Sequence, residues 1–435
     1  MKTELFNLKH GGKVLFNKQK EVQGISVQLN FTAGAFNDKK GKLGVAHFCE
    51  HALFCFPNAK MTREERDSYR RKFEYMNAFT SQKDITFVIR MTEEDFEDAM
   101  DFVTESFASI KFTTEEFEKE KKIIEDEIKT KVQRNSSLYT KIVRTKIIKE
   151  SHYNNITSAL CGTVESLANI SLEDVKEFKE KYLTLNNLCV SICGNISKKR
   201  VKNAVRKYVE QRIGVSTTQG FVSNEVNELF LPKFHFEKAV EKENALFACV
   251  YNLKFIPWTY EVPREYIISS VLSMILQELA FLYFRQNKNL CYSCSLYTCG
   301  IANHFSNEFY IQCQEENLDE VILSYSDFLK NLPQNIDKDM FEKHKRKKVL
   351  QYNFDFLGIN SICDTMYELY IQENKLFNTA YRKNVNKEKR GITYEETNEL
   401  YKTLFKTKPH VTIIANDDKY KDFDYKSFCK TAKLK

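Results

Sequence analysis

Residues 44–54 read GVAHFCEHALF, placing His47, Glu50 and His51 within five positions of one another. The chain has only 8 histidines in 435 residues, so this clustering needs a reason. On an α-helix, positions four apart share a face, which lets His47 and His51 aim their imidazoles at one point with Glu50 adjacent. Two neutral imidazoles and one carboxylate oxygen suit Zn²⁺ with a fourth position left for water, and the remaining glutamate is then available as a general base. The competing reading is a polar accident on a helix, and five residues alone do not separate the two.

Working outward, a third ligand should be a carboxylate on a separate element packed against this helix. The segment TTEEFEKEKKIIEDEIKTKVQ, residues 113–133, has Phe117, Lys121, Ile124 and Ile128 on one helical stripe. Glu120 and Glu127 are two turns apart and share a face, whereas Glu125 lies about 160° round the helix from Glu127. Charges in such a run also fit a solvated helix face, so both readings stand.

Around these helices, Ile25, Val27, Leu29 and Phe31 alternate with Ser26, Gln28 and Asn30, the period-two pattern of a half-buried strand. DITFVIRM repeats it with Ile85, Phe87, Ile89 and Met91, and Phe96, Met100, Val103, Phe107 and Ile110 then recur at helical steps after MTEED. Strands and amphipathic helices mixed in this order predict an α+β fold. ISLEDVKEFKEKYLTLNNLCVSICGN, from Ile170, aligns without a gap on ITYEETNELYKTLFKTKPHVTIIAND, from Ile392. Each copy reads as a capped helix, a polar turn and an apolar strand, an internal repeat that predicts two related domains. GVSTTQG, Gly214 to Gly220, is rich in turn formers and poor in large apolar residues. The expected division is 1–212, a linker over 213–225, and 226–435.

Composition narrows the function. The net charge of +7 comes from 66 basic and 59 acidic residues that alternate at short range, and 13 glycines form no P-loop or dinucleotide-binding pattern. Charge alone is left to support nucleic-acid binding, so none is expected. No apolar run is read as approaching the ~18 residues of a membrane span, and MKTELFNLKHGGKVLFN lacks the apolar centre of a signal peptide. The 12 scattered cysteines read as reduced thiols in a cytoplasmic protein, with Cys189 and Cys193 as strand core fillers.

H-x-x-E-H inverts the better-known H-E-x-x-H zinc-protease motif. With it, FTAGAFNDKKGKLGVAHFCEHALF, NAFTSQKDITF, EKEKKIIEDEI, LCGTVESLANISLEDVKEFKEKYLTLNNLCVSICGN and FRQNKNLCYS resemble the inverted zinc metallopeptidases that include pitrilysin, insulin-degrading enzyme and the mitochondrial processing peptidase. The resemblance covers most of the first half and one piece of the second. It implies two homologous α/β-roll domains, each a mostly antiparallel sheet packed on helices. It makes His47, His51 and Glu127 the ligands of one Zn²⁺ per chain, Glu50 the general base, and Glu120 an acidic residue that orients the site. Arg285 and Tyr292 match the pair that reaches substrate and tetrahedral intermediate; by themselves they read rather as a helix end and a strand start. Asn77 matches a substrate-side position beside a sheet edge to which a peptide adds as a strand.

This chain departs from the family pattern at three places. Phe73-Glu74 replace a glycine pair, CFPNAK replaces Gly-Thr after the zinc helix, and Asn289 replaces a glycine where left-handed φ is expected. The expected protein is an endopeptidase for extended or unfolded peptides, clearing peptides or maturing a ribosomally made one. It pairs as a homodimer or with a catalytically silent relative. The alternative is a non-catalytic scaffold subunit of the same family, for which broken ligands would be expected.

Overall fold

The computed structural model describes residues 2–132, 135–142, 148–149, 160–220, 228–229, 233–240, 244–255, 264–301, 304–355 and 357–434. They gather into two compact units, one of residues 1–130, 155–224 and 354–382, the other of 131–154, 225–353 and 383–435. The halves expected from sequence are continuous, whereas these units exchange a segment in each direction. Residues 221–225 of the expected linker lie outside the described residues.

The first unit is built on a sheet of β1 (Thr3–Asn7), β2 (Lys13–Lys18), β3 (Gly24–Phe31), β4 (Tyr75–Thr80), β5 (Ile85–Thr92) and β6 (Leu188–Gly194). Its order is β1-β2-β6-β3-β5-β4, antiparallel except where β2 meets β6. Ile25, Val27, Leu29 and Phe31 face a core shared with α1 (Val45–Cys55), α3 (Phe96–Ser109) and α4 (Thr114–Val132); α2 (Arg63–Arg70) lies between α1 and β4 in the chain. The alternate residues Ser26, Gln28 and Asn30 are also no more than 1% exposed, so β3 is buried on both faces rather than on one. The cover is the helix Ile359–Glu373, supplied by the second half of the sequence. Ser26 Oγ and Gln28 Nε2 each donate to Asn360 Oδ1 over 3.2 Å, and Gln28 Nε2 also donates to Asp364 Oδ1 over 2.7 Å. Polar strand residues are buried here because a polar helix face meets them.

The second unit repeats the plan with β7 (Phe234–Lys238), β8 (Ala245–Phe255), β9 (Ser293–Ile301), β10 (His304–Cys313) and β11 (His410–Ala415). The order β9-β10-β8-β11-β7 matches β4-β5-β3-β6-β2 strand for strand, including the single parallel pair, β7 with β11. The repeated sequence occupies equivalent places: Ser171 and Asp174 form a capping box on the helix before β6, as Thr393 and Glu396 do before β11. The exchange is reciprocal, because Tyr139 and Ile142 of the helix Asn135–Ile142 pack on Leu246, Ala248, Val250 and Ile414. The fold is α+β in two related units.

One expectation fails. The helical stretch Arg264–Asn287 is long and apolar enough, by length and composition, to cross a membrane, although no run of that kind was expected. Its serines and the pair Gln277-Glu278 interrupt the apolar run in the sequence. In the structure most of it is buried, with Val271, Leu272, Ile275 and Leu276 at 0–1% exposed in the second core.

Arg66 fixes the end of α1. It is 1% exposed and donates to the carbonyls of Leu53, Phe54 and Phe56 and to Ser106 Oγ. Burial pulls its guanidinium down to about 10, still charged at neutral pH and well placed at the negative end of the helix. Replacing Arg66 with Met strands those buried carbonyls. The first denaturant transition should lose about 2–4 kcal/mol, and an unchanged midpoint would contradict this account of the helix end.

Candidate metal centre

Three devices fix α1 before any ligand is considered. Its N-terminal N–H groups on Gly44 and Ala46 donate to Asp38 over 2.6 and 2.8 Å. Burial pushes the Asp38 carboxyl up to about 7, against the pull of those donors. Gly44 and Gly162, with φ of +98° and +78°, let two loops touch; a Cβ on Gly162 would sit 2.1 Å from the Leu43 oxygen. This close approach sets Cys161 beside the helix. On the core side, Phe48 stacks on Phe117 with ring centroids 4.7 Å apart, holding α1 against α4.

The consequence is convergence. Among the described residues, His47, His51 and Glu127 form one group whose ligand atoms all lie within 4.8 Å of one another. His47 Nε2 is 3.2 Å and His51 Nε2 3.5 Å from Glu127 Oε2. Two atoms bound at zinc–ligand distance to one tetrahedral centre lie about 3.3 Å apart, so the spacing and the N,N,O donor set fit zinc. The helix is otherwise buried and His47 is itself 7% exposed, so these histidines do not lie on a solvated helix face.

A second layer orients the first. His51 Nδ1 donates to Glu120 Oε1 over 2.8 Å, which leaves Nε2 to the metal position. Glu120, 1% exposed, is held in turn by Arg63, whose Nε also donates to Glu116 over 3.0 Å. On the other side His47 Nδ1 is 3.3 Å from Glu50 Oε2, and Thr80 Oγ1 at the end of β4 donates to that same oxygen over 2.9 Å. The Cys161 thiol donates to Glu127 Oε1 over 3.8 Å, whereas both histidines approach Oε2. Burial opposes protonation of His47, yet hydrogen bonds with Cys161, Glu127 and Glu50 raise it well above the ordinary 6.5. Burial likewise opposes protonation of His51, and Glu120 and Glu127 overcome it. The pocket therefore favours a positive charge at the point where the nitrogens converge.

Of the remaining expected residues, Asn77 lies in the first unit and Arg285 and Tyr292 in the second. Asn77 is exposed on β4, its side chain donating to Tyr75 Oη over 3.1 Å. Arg285 and Tyr292 belong to the second unit and meet each other, with the guanidinium 4.9 Å from the ring centroid. Tyr292 is 82% exposed just before β9, and Arg285 lies in a π-helical turn over Phe281–Asn287. Asn289 adopts φ of 53°, the left-handed value expected where the family pattern has glycine. Sequence reasoning missed Asp38, Arg63, Thr80 and Cys161. Only Arg63 left a signal, since Glu116 and Glu120 are four apart and share a face of α4.

Ligation needs both imidazoles neutral, and their raised affinity for protons sets protons against zinc up to a higher pH than usual. Apparent zinc affinity should rise with pH through and above the ordinary histidine range, by up to ~100-fold per unit while both rings titrate. Competition with a chromophoric chelator measures it, and a flat profile between about pH 6 and 8 would contradict the site. Cys161→Ala removes one hydrogen bond to Glu127 Oε1 and should weaken zinc by about tenfold in the same titration.

A family profile described as Insulinase (Peptidase family M16) matches residues 13–159, and one described as Peptidase M16 inactive domain matches residues 169–348. An uncharacterized zinc protease YmxG of Bacillus subtilis is 25% identical over 292 residues, 66% of this chain and 68% of that protein. The mitochondrial-processing peptidase subunit beta of Dictyostelium discoideum is 21% identical over 97% of this chain and 91% of its own. The crystal structure of a protease from Helicobacter pylori superposes with a TM-score of 0.76 at 17% identity, over 95% of this chain and 98% of that one. With two profiles of one family spanning most of its length, this chain belongs to peptidase family M16, a family of zinc metalloproteases.

Proposed function

We propose that the chain is a zinc-dependent endopeptidase acting on extended or unfolded peptides. The observation that carries this reading is the convergence of His47, His51 and Glu127, with Glu50 buried beside them and held by Thr80. When bound, zinc supplies Lewis acidity that brings the pKa of water towards 7 and polarises a peptide carbonyl. Glu50 is the base that accepts the proton and later returns it to the leaving amine. Thr80 fixes its carboxylate through one oxygen, so that the remaining lone pairs keep one direction. Glu120 and Arg63 hold His51, and Cys161 holds Glu127.

Binding of an extended chain is supported by β4. It pairs with β5 on one side and is the last strand in its sheet, and its Tyr75 and Phe79 are 36% and 44% exposed. An open strand edge of this kind accepts a peptide as an added strand. Arg285 and Tyr292 are the cation and phenol offered to the developing oxyanion. Pairing with a second chain, identical or catalytically silent, and action on a ribosomally made peptide are further parts of the reading. Eleven cysteines among the described residues form no disulfide, which supports a reducing, cytoplasmic setting.

Zinc content and cleavage of a quenched, unstructured peptide library test the assignment together. Wild type should hold near-stoichiometric zinc and cleave. Glu50→Gln should hold zinc and lose at least ~1,000-fold in turnover, while Glu127→Gln should hold zinc weakly. Zinc without cleavage would point to a missing partner chain or a narrow substrate, and no zinc at all would sink the peptidase reading and leave the scaffold subunit.

A further inference from the structure

An open groove of about 470 Å³ lies in the first unit between the last turns of α1 and α2 and the first half of β4. Phe54 and Met76, both half-buried, supply apolar wall, and Phe73 is buried at its floor. Phe54 follows His51 by three positions on one face of α1. Along β4 the groove begins at Tyr75, and the strand ends at Thr80, which touches Glu50. At ~3.3 Å per residue, an extended peptide paired along this edge passes from Glu50 to the groove within about five residues.

The charges lining the groove resolve unevenly. Arg70 pairs with Asp67 and lies over the Phe54 ring, 4.1 Å from its centroid. Glu74 pairs with Arg90 over 2.9 Å. Arg71, exposed at the C-terminal end of α2, has no ion-pair partner among the described residues. An apolar wall ending at one uncompensated guanidinium, with a second guanidinium beside it, is complementary to a carboxylate on a short apolar stem.

We propose that this groove receives a glutamate side chain of the bound peptide, with Arg71 facing its carboxylate, so that the chain selects peptides acidic near the cleavage point. The inference rests on the endopeptidase reading for the peptide's path but not for turnover. It is tested in the zinc-loaded Glu50→Gln protein, which separates binding from cleavage. Labelled unstructured peptides carrying a single Glu, Gln or Lys, scanned through the sequence, are titrated against it and against Glu50→Gln/Arg71→Glu.

At one scanned position Glu should bind about five- to tenfold tighter than Lys at low salt, and the gap should narrow as salt is added. Arg71→Glu should reverse that order at the same position and leave the other positions as they were. Equal binding of Glu and Lys throughout, or a preference that Arg71→Glu does not move, would overturn the groove. Cleavage by wild type without charge selection fails the groove alone. Charge-selective binding with no wild-type cleavage fails the peptidase and keeps the groove. No binding of any peptide fails both.

Discussion

Glu120 is almost wholly buried, and a carboxylate in that position is tolerable only with a cation or a hydrogen-bond donor on each side of it. Arg63 is the cation and the His51 Nδ1–H the donor, so a single requirement of electrostatics ties α2, α4 and α1 together. The same requirement recurs one step inward, where Glu127 stands against two imidazoles. A proton satisfies this arrangement partly and a divalent metal satisfies it better, since the metal engages both rings and the carboxylate at once. Much of the first unit serves this constraint. Phe48 on Phe117 sets the spacing of the helices, Arg66 and Asp38 hold the two ends of α1, and the paired glycines bring Cys161 to the remaining oxygen.

The duplicated plan places different chemistry in equivalent slots. Between β3 and β4 the chain carries α1 with its ligands. Between β8 and β9, the same interval in the second sheet, it carries Arg264–Ala280. That helix turns serines rather than histidines towards its strands: Ser269 and Ser273 bond Thr298 and Asn307 on β9 and β10. Its apolar length is what a helix needs to fill that slot without a charged centre. The resemblance to a membrane span is then a by-product of burial inside protein.

Elements with a period were legible in the sequence, and contacts without one were not. β3 and β5 announced themselves by alternation, α3 and α4 by helical spacing, and the repeat by a gapless alignment that falls on the capping box and strand of each unit. His47, Glu50 and His51 were readable because one turn of helix fixes their mutual placement. Glu127 needed the family resemblance, because nothing local distinguishes it from its charged neighbours. Ser26, Gln28 and Asn30 read as solvent-facing because their cover lies more than 300 residues away in the chain. Thr80 and Cys161 gave no sign, since a hydroxyl at a strand end and a thiol beside a glycine acquire meaning only from what folds next to them.

The reciprocal exchange of segments has a consequence for how the chain is made. Translation proceeds from the N-terminus, so the helix Asn135–Ile142 leaves the ribosome before the sheet it packs on exists. The first sheet, conversely, has all its strands once residue 194 is made but waits until residue 373 for the helix that closes its polar face. The first unit is therefore incomplete when its own half of the chain is complete, whereas the second finds its borrowed segment already made. Maturation of the two is therefore coupled late in synthesis, and the helix that carries His47 and His51 sits in a unit whose last structural element is drawn from the far half of the polypeptide.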